Sequence, residues 1–247
     1  MLPILRGLIA RRVLLNFRAD IDTVQALLPK PFEVEPHQGR AIVGVCLIRL
    51  EELRPKGFPT GLGMASENMA HRVAVRYPVG GRMETGVFIW RRETDQQLVQ
   101  MLGGRLFPGV HQSARFHVQE SEDGISMKVA SADGETDVSF SASNGPAWQP
   151  TSAFKDLEEA SEFFAHGDCG FSCTRNGGSV EGMQLKILKW SPQPLKVGLI
   201  KSAFYSNPDR FPPGSIEFDC ALIMRAVPHE WQEIRKVPEL EAVSNFA

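Results

Sequence analysis

The pattern of apolar and polar positions predicts a chain built mostly from β-strands. Short runs that are apolar, or that alternate between apolar and polar residues, begin at Val13–Phe17 and continue to Ile216–Val227. The run Ala41–Leu50 is apolar on both faces, which is typical of a strand in the middle of a sheet. The dipeptide Asp133-Gly134 separates two of the runs, as expected for a β-hairpin. Roughly nine strands are predicted in this way.

Two or three helices interrupt the predicted strands. Asp20–Leu28 is a short helix that prolines end, and Leu157–Ala165 is another. A third, Glu93–Leu106, has apolar residues at helical spacing and Thr94 as its expected N-cap. This combination favours an antiparallel β-barrel or sandwich with flanking helices, a mainly β (α+β) fold. No repeat or linker divides it, so a single domain is expected over residues 1–247.

The predicted strand Gln112–Gln119 has a polar face beside the buried run that precedes it. Ser113, Arg115 and His117 share this face, while apolar side chains occupy the other. Such a row lines a cavity in some sheets, and in others it simply faces solvent. The pattern alone favours the solvent-facing interpretation.

Composition and charge narrow the classes of partner. The 247 residues carry a formal net charge of −2 with scattered basic residues, so nothing in the charge pattern indicates a nucleic-acid partner. No apolar run approaches membrane-spanning length, so no membrane partner is expected. Four widely spaced cysteines do not form a disulfide framework and indicate a reduced, cytoplasmic protein. Arginines interrupt the apolar N-terminus, which we interpret as a first strand with a short lead-in.

One segment has the spacing of soft metal ligands. His166, Cys169 and Cys173 follow the pattern H-x2-C-x3-C and offer three ligands, whereas a closed zinc site is typically four-coordinate. We therefore interpret them as ordinary loop residues and predict no structural metal there. No motif in the chain indicates a cofactor.

Three stretches of the sequence resemble one known superfamily. Asn16–Glu35 resembles the opening of acetoacetate decarboxylase and its relatives, in which a strand, an Asp-initiated helix and a proline-containing stop follow in order. Glu67 before a strand and Gly104-Arg105 before a turn also fall in the family's order. The closing block, Ile216–Trp231, is more similar to the uncharacterised branch of the superfamily. The resemblance implies a cone-like antiparallel β-barrel with an internal pocket and flanking helices.

The resemblance breaks down at the catalytic lysine. Decarboxylases of this superfamily form a Schiff base through a lysine a fixed short interval after the Gly-Arg pair. The same interval from Gly104-Arg105 reaches Gln112 and Ser113, or His111 if the alignment slips, and none of these can form an imine. No lysine occurs between Lys56 and Lys128. We therefore predict that this chain lacks Schiff-base decarboxylase chemistry.

The first functional hypothesis is a binding module whose pocket holds a small organic acid or ketone. The expected ligand-binding residues, which should line one concavity, are Glu67, Arg105, His111, Gln112 and Arg115. The resemblance places the first four near the family's site positions, and Arg115 belongs to the polar strand face described above. Arg105 and Arg115 would hold a carboxylate, and Arg11 or Arg12 could add a second cation.

Two further hypotheses stay open on the sequence alone. The second is a lyase or hydrolase-type enzyme on the same scaffold, with Glu67, His111 and Arg115 in acid–base or anion-stabilising roles. The third is a scaffold whose interior is simply filled by side chains. The sequence leaves open whether the chain forms a homo-oligomer.

Overall fold

Long strands make up most of the protein, and they belong to one sheet that returns on itself. The computed structural model describes residues 3–96, 109–145, 148, 151–234 and 237–240. The helices described there are α1 (Ile21–Gln25) and α2 (Leu157–Ala165), and neither is long and apolar enough to cross a membrane. The prediction of a mainly β chain with a few helices is confirmed. The strands are β1 (Leu5–Ala19), β2 (Glu33–Val34), β3 (Pro36–His37), β4 (Arg40–Pro55), β5 (Met64–Val79), β6 (Arg82–Thr94), β7 (His111–Glu120), β8 (Gly124–Ser131), β9 (Val138–Asn144), β10 (Cys169–Cys173), β11 (Val180–Ile187), β12 (Gln193–Ser202) and β13 (Ile216–Glu233).

Five long strands form a wall in the order β13-β1-β4-β5-β6, each antiparallel to its neighbours. The two outer strands of this wall each pair with two different strands along the remaining edge. In β6, residues 87–88 pair with β10 and residues 92–94 pair with β7, both in parallel. In β13, residues 221–223 pair with β12 and residues 229–233 pair with β11.

These split edges close the sheet into two rings that share the wall. The large ring consists of the wall with β7, β8, β9 and β12, and the small ring consists of the wall with β10 and β11. Successive side chains of a strand point to opposite faces, so each wall strand contributes to two compartments. In β1, Val13 and Leu15 belong to the core of the large ring, whereas Arg12 lines the cavity of the small ring.

Buried side chains form a hydrophobic core inside the large ring. Its core includes Val13, Leu15 and Phe17 of β1 and extends to buried residues of β8, β9 and β12. Tyr205, which follows β12, packs against Phe17 with ring centroids 4.8 Å apart and donates a hydrogen bond of 2.8 Å to the Gly44 carbonyl. Because wall strands are covered on both faces, they have the continuous apolar runs that the sequence shows.

Two segments differ from the sequence predictions. Glu93 and Thr94 were expected to begin the helix Glu93–Leu106, but they end strand β6, while residues 97–106 lie outside the described residues. Cys169–Cys173 was expected to be a loop and is strand β10. Its five residues include glycine and serine, so local propensity is weak. Two pairings make it a strand: one with the neighbouring β11, and one with β6, which lies far earlier in the sequence.

The close contact between β1 and β4 at Gly44 gives a test of this packing. A Cβ at position 44 would lie 2.5 Å from the Leu15 carbonyl oxygen, a backbone atom that cannot move aside alone. We expect Gly44→Ala to lower the free energy of unfolding by about 1–3 kcal/mol, the usual cost of overpacking. Gly198→Ala in β12 is the control, since its nearest contact would be 3.8 Å away. Equal denaturant midpoints for the two variants would contradict the packing described here.

Candidate functional site

The small ring encloses a cavity of about 120 Å³ with mostly apolar walls. Alternate residues of β4, β5 and β6 face it, because these strands present every second side chain to the small ring. Met183 and Leu185 of β11 and Trp231 of β13 close the opposite side. The apolar lining residues from these three strands are Ile48, Leu50, Leu53, Met64, Met69, Ala70, Val87 and Ile89.

Arg72 of β5 is the most enclosed cation of this cavity, with 5% of its surface exposed. Its Nη2 donates a hydrogen bond of 2.6 Å to Asn16 Oδ1, and its guanidinium lies 5.1 Å from the centroid of the Phe164 ring. Its Nε is buried without a hydrogen-bond partner. Burial lowers the pKa of Arg72. This desolvated guanidinium therefore keeps an unused donor.

Arg12 and Arg92 extend into the same cavity from β1 and β6. Arg12 Nε donates to Cys46 Sγ at 3.4 Å, and its guanidinium lies 5.8 Å from the Trp190 ring centroid. Arg92 Nε donates to Ser172 Oγ at 3.1 Å. Burial lowers the pKa of Arg92 to about 10. A guanidinium remains protonated at neutral pH even so.

The three arginines share the cavity with two carboxylates, Glu93 and Asp168, which bind other partners. Thr136 Oγ1 donates to Glu93 and Gln184 Nε2 donates to Asp168, each at 2.7 Å. Glu181 attracts Arg92 electrostatically, but within the described part of the chain none of the three guanidinium groups forms an ion pair. Cations taken out of water are costly unless an acceptor or a counter-ion is present. Carboxylates are suited to this role because guanidinium groups bind them through two parallel hydrogen bonds. The cavity is therefore chemically suited to a small anion with an apolar body.

His111 lines the same cavity at the start of β7, where it pairs in register with Arg92. Burial, reinforced by the charge of Arg92, lowers the pKa of His111 to about 3. The imidazole is therefore neutral at pH 7. His111 and Arg92 also border a neighbouring cavity of about 600 Å³, which Gln112 lines.

Of the five residues expected to share one concavity, the structure brings only His111 to the arginine cavity among those it describes. Glu67 lies on the other face of β5, between Ser66 and Asn68, which do line the cavity. Because side chains alternate along a strand, a shift of one residue changes the compartment. Gln112 lies in the neighbouring cavity, and Arg105 lies outside the described residues.

Arg115 is exposed on β7, as are Ser113 and His117, so the solvent-facing interpretation of that row is correct. Of the pair Arg11 and Arg12, Arg12 lines the cavity. The sequence analysis missed Arg72 and Arg92 as site residues. Their signal was present as arginines inside strands of otherwise buried residues, where an unpaired charge is unusual.

Glu67 forms an ion pair away from the cavity. Arg11 Nη2 donates to both of its carboxylate oxygens, at 2.9 and 2.7 Å, and Arg11 Nη1 lies 3.3 Å from Glu120. Burial raises the pKa of Glu67, although Arg11 acts in the opposite direction. This arrangement makes Glu67 a structural partner of β1.

The cysteine segment after α2 also has a local explanation. His166 Nδ1 lies 2.7 Å from the Glu162 carbonyl, and Cys169 and Cys173 stand at the two ends of β10. Burial and the adjacent Asp168 raise the pKa of Cys169 to about 12. The described residues contain no group of three or more side chains that could hold a metal ion.

Comparisons with known proteins agree with this architecture. A family model named DUF2071, an uncharacterized conserved protein, matches residues 9–203. The acetoacetate decarboxylase of Legionella pneumophila is similar with a TM-score of 0.57 and 16% identity over 98% of this chain and 87% of that one. An acetoacetate decarboxylase-like enzyme from Sphingomonas wittichii is similar with a TM-score of 0.59 and 13% identity, over 98% of this chain and 94% of that one. The enduracididine biosynthesis enzyme MppR complexed with pyruvate is similar with a TM-score of 0.54 and 10% identity, over 94% of this chain and 90% of that one. No curated protein matches the chain. The chain therefore has an acetoacetate decarboxylase-like fold.

The ion pair between Arg11 and Glu67 should contribute to stability. We expect Arg11→Leu to lower the free energy of unfolding by about 3 kcal/mol, because it leaves a buried carboxylate without its bidentate donor. The double variant Arg11→Leu with Glu67→Leu should recover most of this loss. Arg225→Leu, which removes a more exposed pair with Glu120, is the control and should cost at most about 1 kcal/mol. A loss in the double variant that equals the sum of the single losses would contradict this interpretation.

The pKa of His111 predicts a pH dependence of stability. Its folded-state pKa of about 3 is below the ordinary value of 6.5, so the unfolded chain binds more protons between these values. Stability should therefore be lost as the pH falls below 6.5, by up to about 2 kcal/mol at pH 5. His111→Gln should make the decrease between pH 7 and pH 5 smaller. Urea unfolding at both pH values measures this, and an unchanged decrease in the variant would refute it.

Proposed function

The chain belongs to the DUF2071 family, and we propose that it binds a small organic acid in the small-ring cavity, without Schiff-base decarboxylase chemistry. The best candidates are short keto acids, whose carboxylate would meet the arginines while the rest of the molecule contacts apolar side chains. One observation carries the proposal. Arg12, Arg72 and Arg92 face a single apolar cavity, and no carboxylate among the described residues pairs with them.

The size and chemistry of the cavity support a ligand of this class. A volume of about 120 Å³ is several times the space that one water molecule requires. Arg72 Nε, buried and without a partner, is available to a carboxylate oxygen. Neutral His111 can exchange a hydrogen bond with a carbonyl or hydroxyl group of the ligand. MppR, which has a similar fold, has been observed with pyruvate, and this supports a keto acid for the present chain.

The residues of the cavity support the exclusion of Schiff-base chemistry from the proposal. None of the described residues that line the cavity is a lysine, and none of the residues from 97 to 108 is one in the sequence. Only an amine can form the imine on which acetoacetate decarboxylation by this route depends. We therefore propose that the chain has the fold of the decarboxylases but does not form an imine with the bound acid.

A lyase or hydrolase-type enzyme on the same scaffold is the second candidate. It would use His111, which already lies beside Arg92 in the cavity. A histidine with a pKa of about 3 is a weak general base, and effective bases have a pKa near the working pH. Glu67 and Arg115 lie elsewhere in the structure, so they add little to this alternative. The binding function is favoured for these reasons.

The four unpaired cysteines are consistent with a cytoplasmic location, which we propose for the protein.

Thermal-shift and calorimetric measurements with pyruvate, acetoacetate and lactate test the proposal, with the corresponding amides as neutral analogues. We expect stabilisation by the acids only. Arg72→Gln should weaken acid binding by about 1.5–3 kcal/mol, the scale of a hydrogen bond to a charged group. Arg115→Ala is the matched control, since Arg115 is exposed on β7, and it should bind acids normally.

Three results would contradict the proposal. Equal stabilisation by the amides would show that the arginines do not select a negative charge. An equal loss of affinity in Arg72→Gln and Arg115→Ala would place the binding site outside the small ring. No stabilisation by any acid at millimolar concentration would favour the filled scaffold.

A further inference from the structure

Cys46 lies among the three arginines of the small-ring cavity. It belongs to β4, lines the cavity, and has 5% of its surface exposed. Its sulfur accepts a hydrogen bond of 3.4 Å from Arg12 Nε. It also lies close enough to Arg72 and Arg92 to interact electrostatically with both guanidinium groups. A single thiol is thus surrounded by three cations.

The same cavity has a second, independent feature that points to a ligand. Arg72 is more than nine-tenths buried, and its Nε has no hydrogen-bond partner. An anion bound at this donor would be placed in the compartment that contains the Cys46 sulfur. The arginines would then position the ligand and also stabilise negative charge that develops during a reaction at sulfur.

The other three cysteines have different surroundings. Burial and the adjacent Asp168 raise the pKa of Cys169, and Cys173 is at the opposite end of the same short strand. Cys220 is buried, its sulfur accepts a hydrogen bond from Asn16, and it interacts electrostatically with both Arg72 and the carboxylate of Asp219. Cys46 is therefore distinguished by its interaction with three cations, and the other cysteines provide internal comparisons within one protein.

We propose that Cys46 is the nucleophile of the small-ring cavity and that it adds to an electrophilic carbon next to the carboxylate of a bound acid. This inference rests on the proposed acid-binding function. With a 2-keto acid, a sulfur–carbon bond forms, the carbonyl π bond breaks, and its electron pair moves to oxygen. The thiol proton ends on that oxygen, so the product is a hemithioketal and no oxidant or reductant is needed.

Alkylation of the native full-length protein with iodoacetate and iodoacetamide tests the inference. Iodoacetate carries its reactive carbon one bond from a carboxylate, as a 2-keto acid does, while iodoacetamide is its neutral analogue. In this reaction the sulfur–carbon bond forms, iodide leaves, and the thiol proton passes to solvent. Peptide mass spectrometry measures the rate at each cysteine, and Cys46→Ser identifies the Cys46 signal.

We expect Cys46 to react about tenfold or more faster with iodoacetate than with iodoacetamide, the lower end of the enrichment that a charged cleft provides. Cys169 should show no such preference. Arg72→Gln should reduce the preference at Cys46 at least severalfold. Arg49→Gln is the matched control, because Arg49 is on the same strand as Cys46, β4, but interacts with Glu51 and Glu67 away from the cavity. It should keep the preference.

The outcomes separate this inference from the proposed function. If acids stabilise the protein but native Cys46 stays unmodified or prefers iodoacetamide, the nucleophile assignment is wrong and acid binding stands. If Cys46 prefers iodoacetate but no acid stabilises the protein, the nucleophile is supported and stable acid binding is refuted. Loss of the preference in Arg49→Gln as well as in Arg72→Gln would overturn the role given to the cavity arginines.

Discussion

The structure depends on one constraint: the wall formed by β13, β1, β4, β5 and β6 is covered on both faces. A strand with two covered faces cannot direct its polar side chains to solvent, so each such side chain must find a partner or a ligand. The split pairing of β6 and β13 provides the cover, since β7 and β12 continue one ring while β10 and β11 continue the other. The two compartments are a direct result of this topology.

The arginines on the two faces of the wall have different surroundings. Arg11 and Arg12 are neighbours in sequence, yet Arg11 forms an ion pair with Glu67 while Arg12 faces the cavity of the small ring. Arg91 and Arg92 repeat the arrangement, since Arg91 contacts carboxylates and Arg92 lines the cavity. Ion pairs on the large-ring side therefore contribute to the packed structure. On the small-ring side, Arg12, Arg72 and Arg92 form no ion pair with any described residue, and this is the basis of the proposed acid site.

Similarity to the acetoacetate decarboxylases concerns the scaffold. Identities of 10–16% with TM-scores of 0.54–0.59 describe a shared fold in which side chains have diverged. A fold of this kind can support different reactions, because the chemistry depends on the few residues that line the cavity. Here the charged and reactive residues are three arginines, the carboxylates Glu93 and Asp168, a thiol and a neutral histidine, with no lysine among the described lining residues.

The sequence by itself determined the strand-rich class, the helix Leu157–Ala165 and the position of the hairpin turn at Gly134, because these follow from local periodicity and turn chemistry. Family order also placed His111 among the candidate residues, and this residue lines the small-ring cavity. Only the tertiary structure decided that Arg72 belongs to the cavity and Glu67 does not. Side-chain alternation separates these residues by face, and which face encloses a cavity depends on pairings such as β6 with β10, between residues more than eighty positions apart. Local sequence carries no information about such a pairing, so the arginine-lined cavity became visible only when the rings closed.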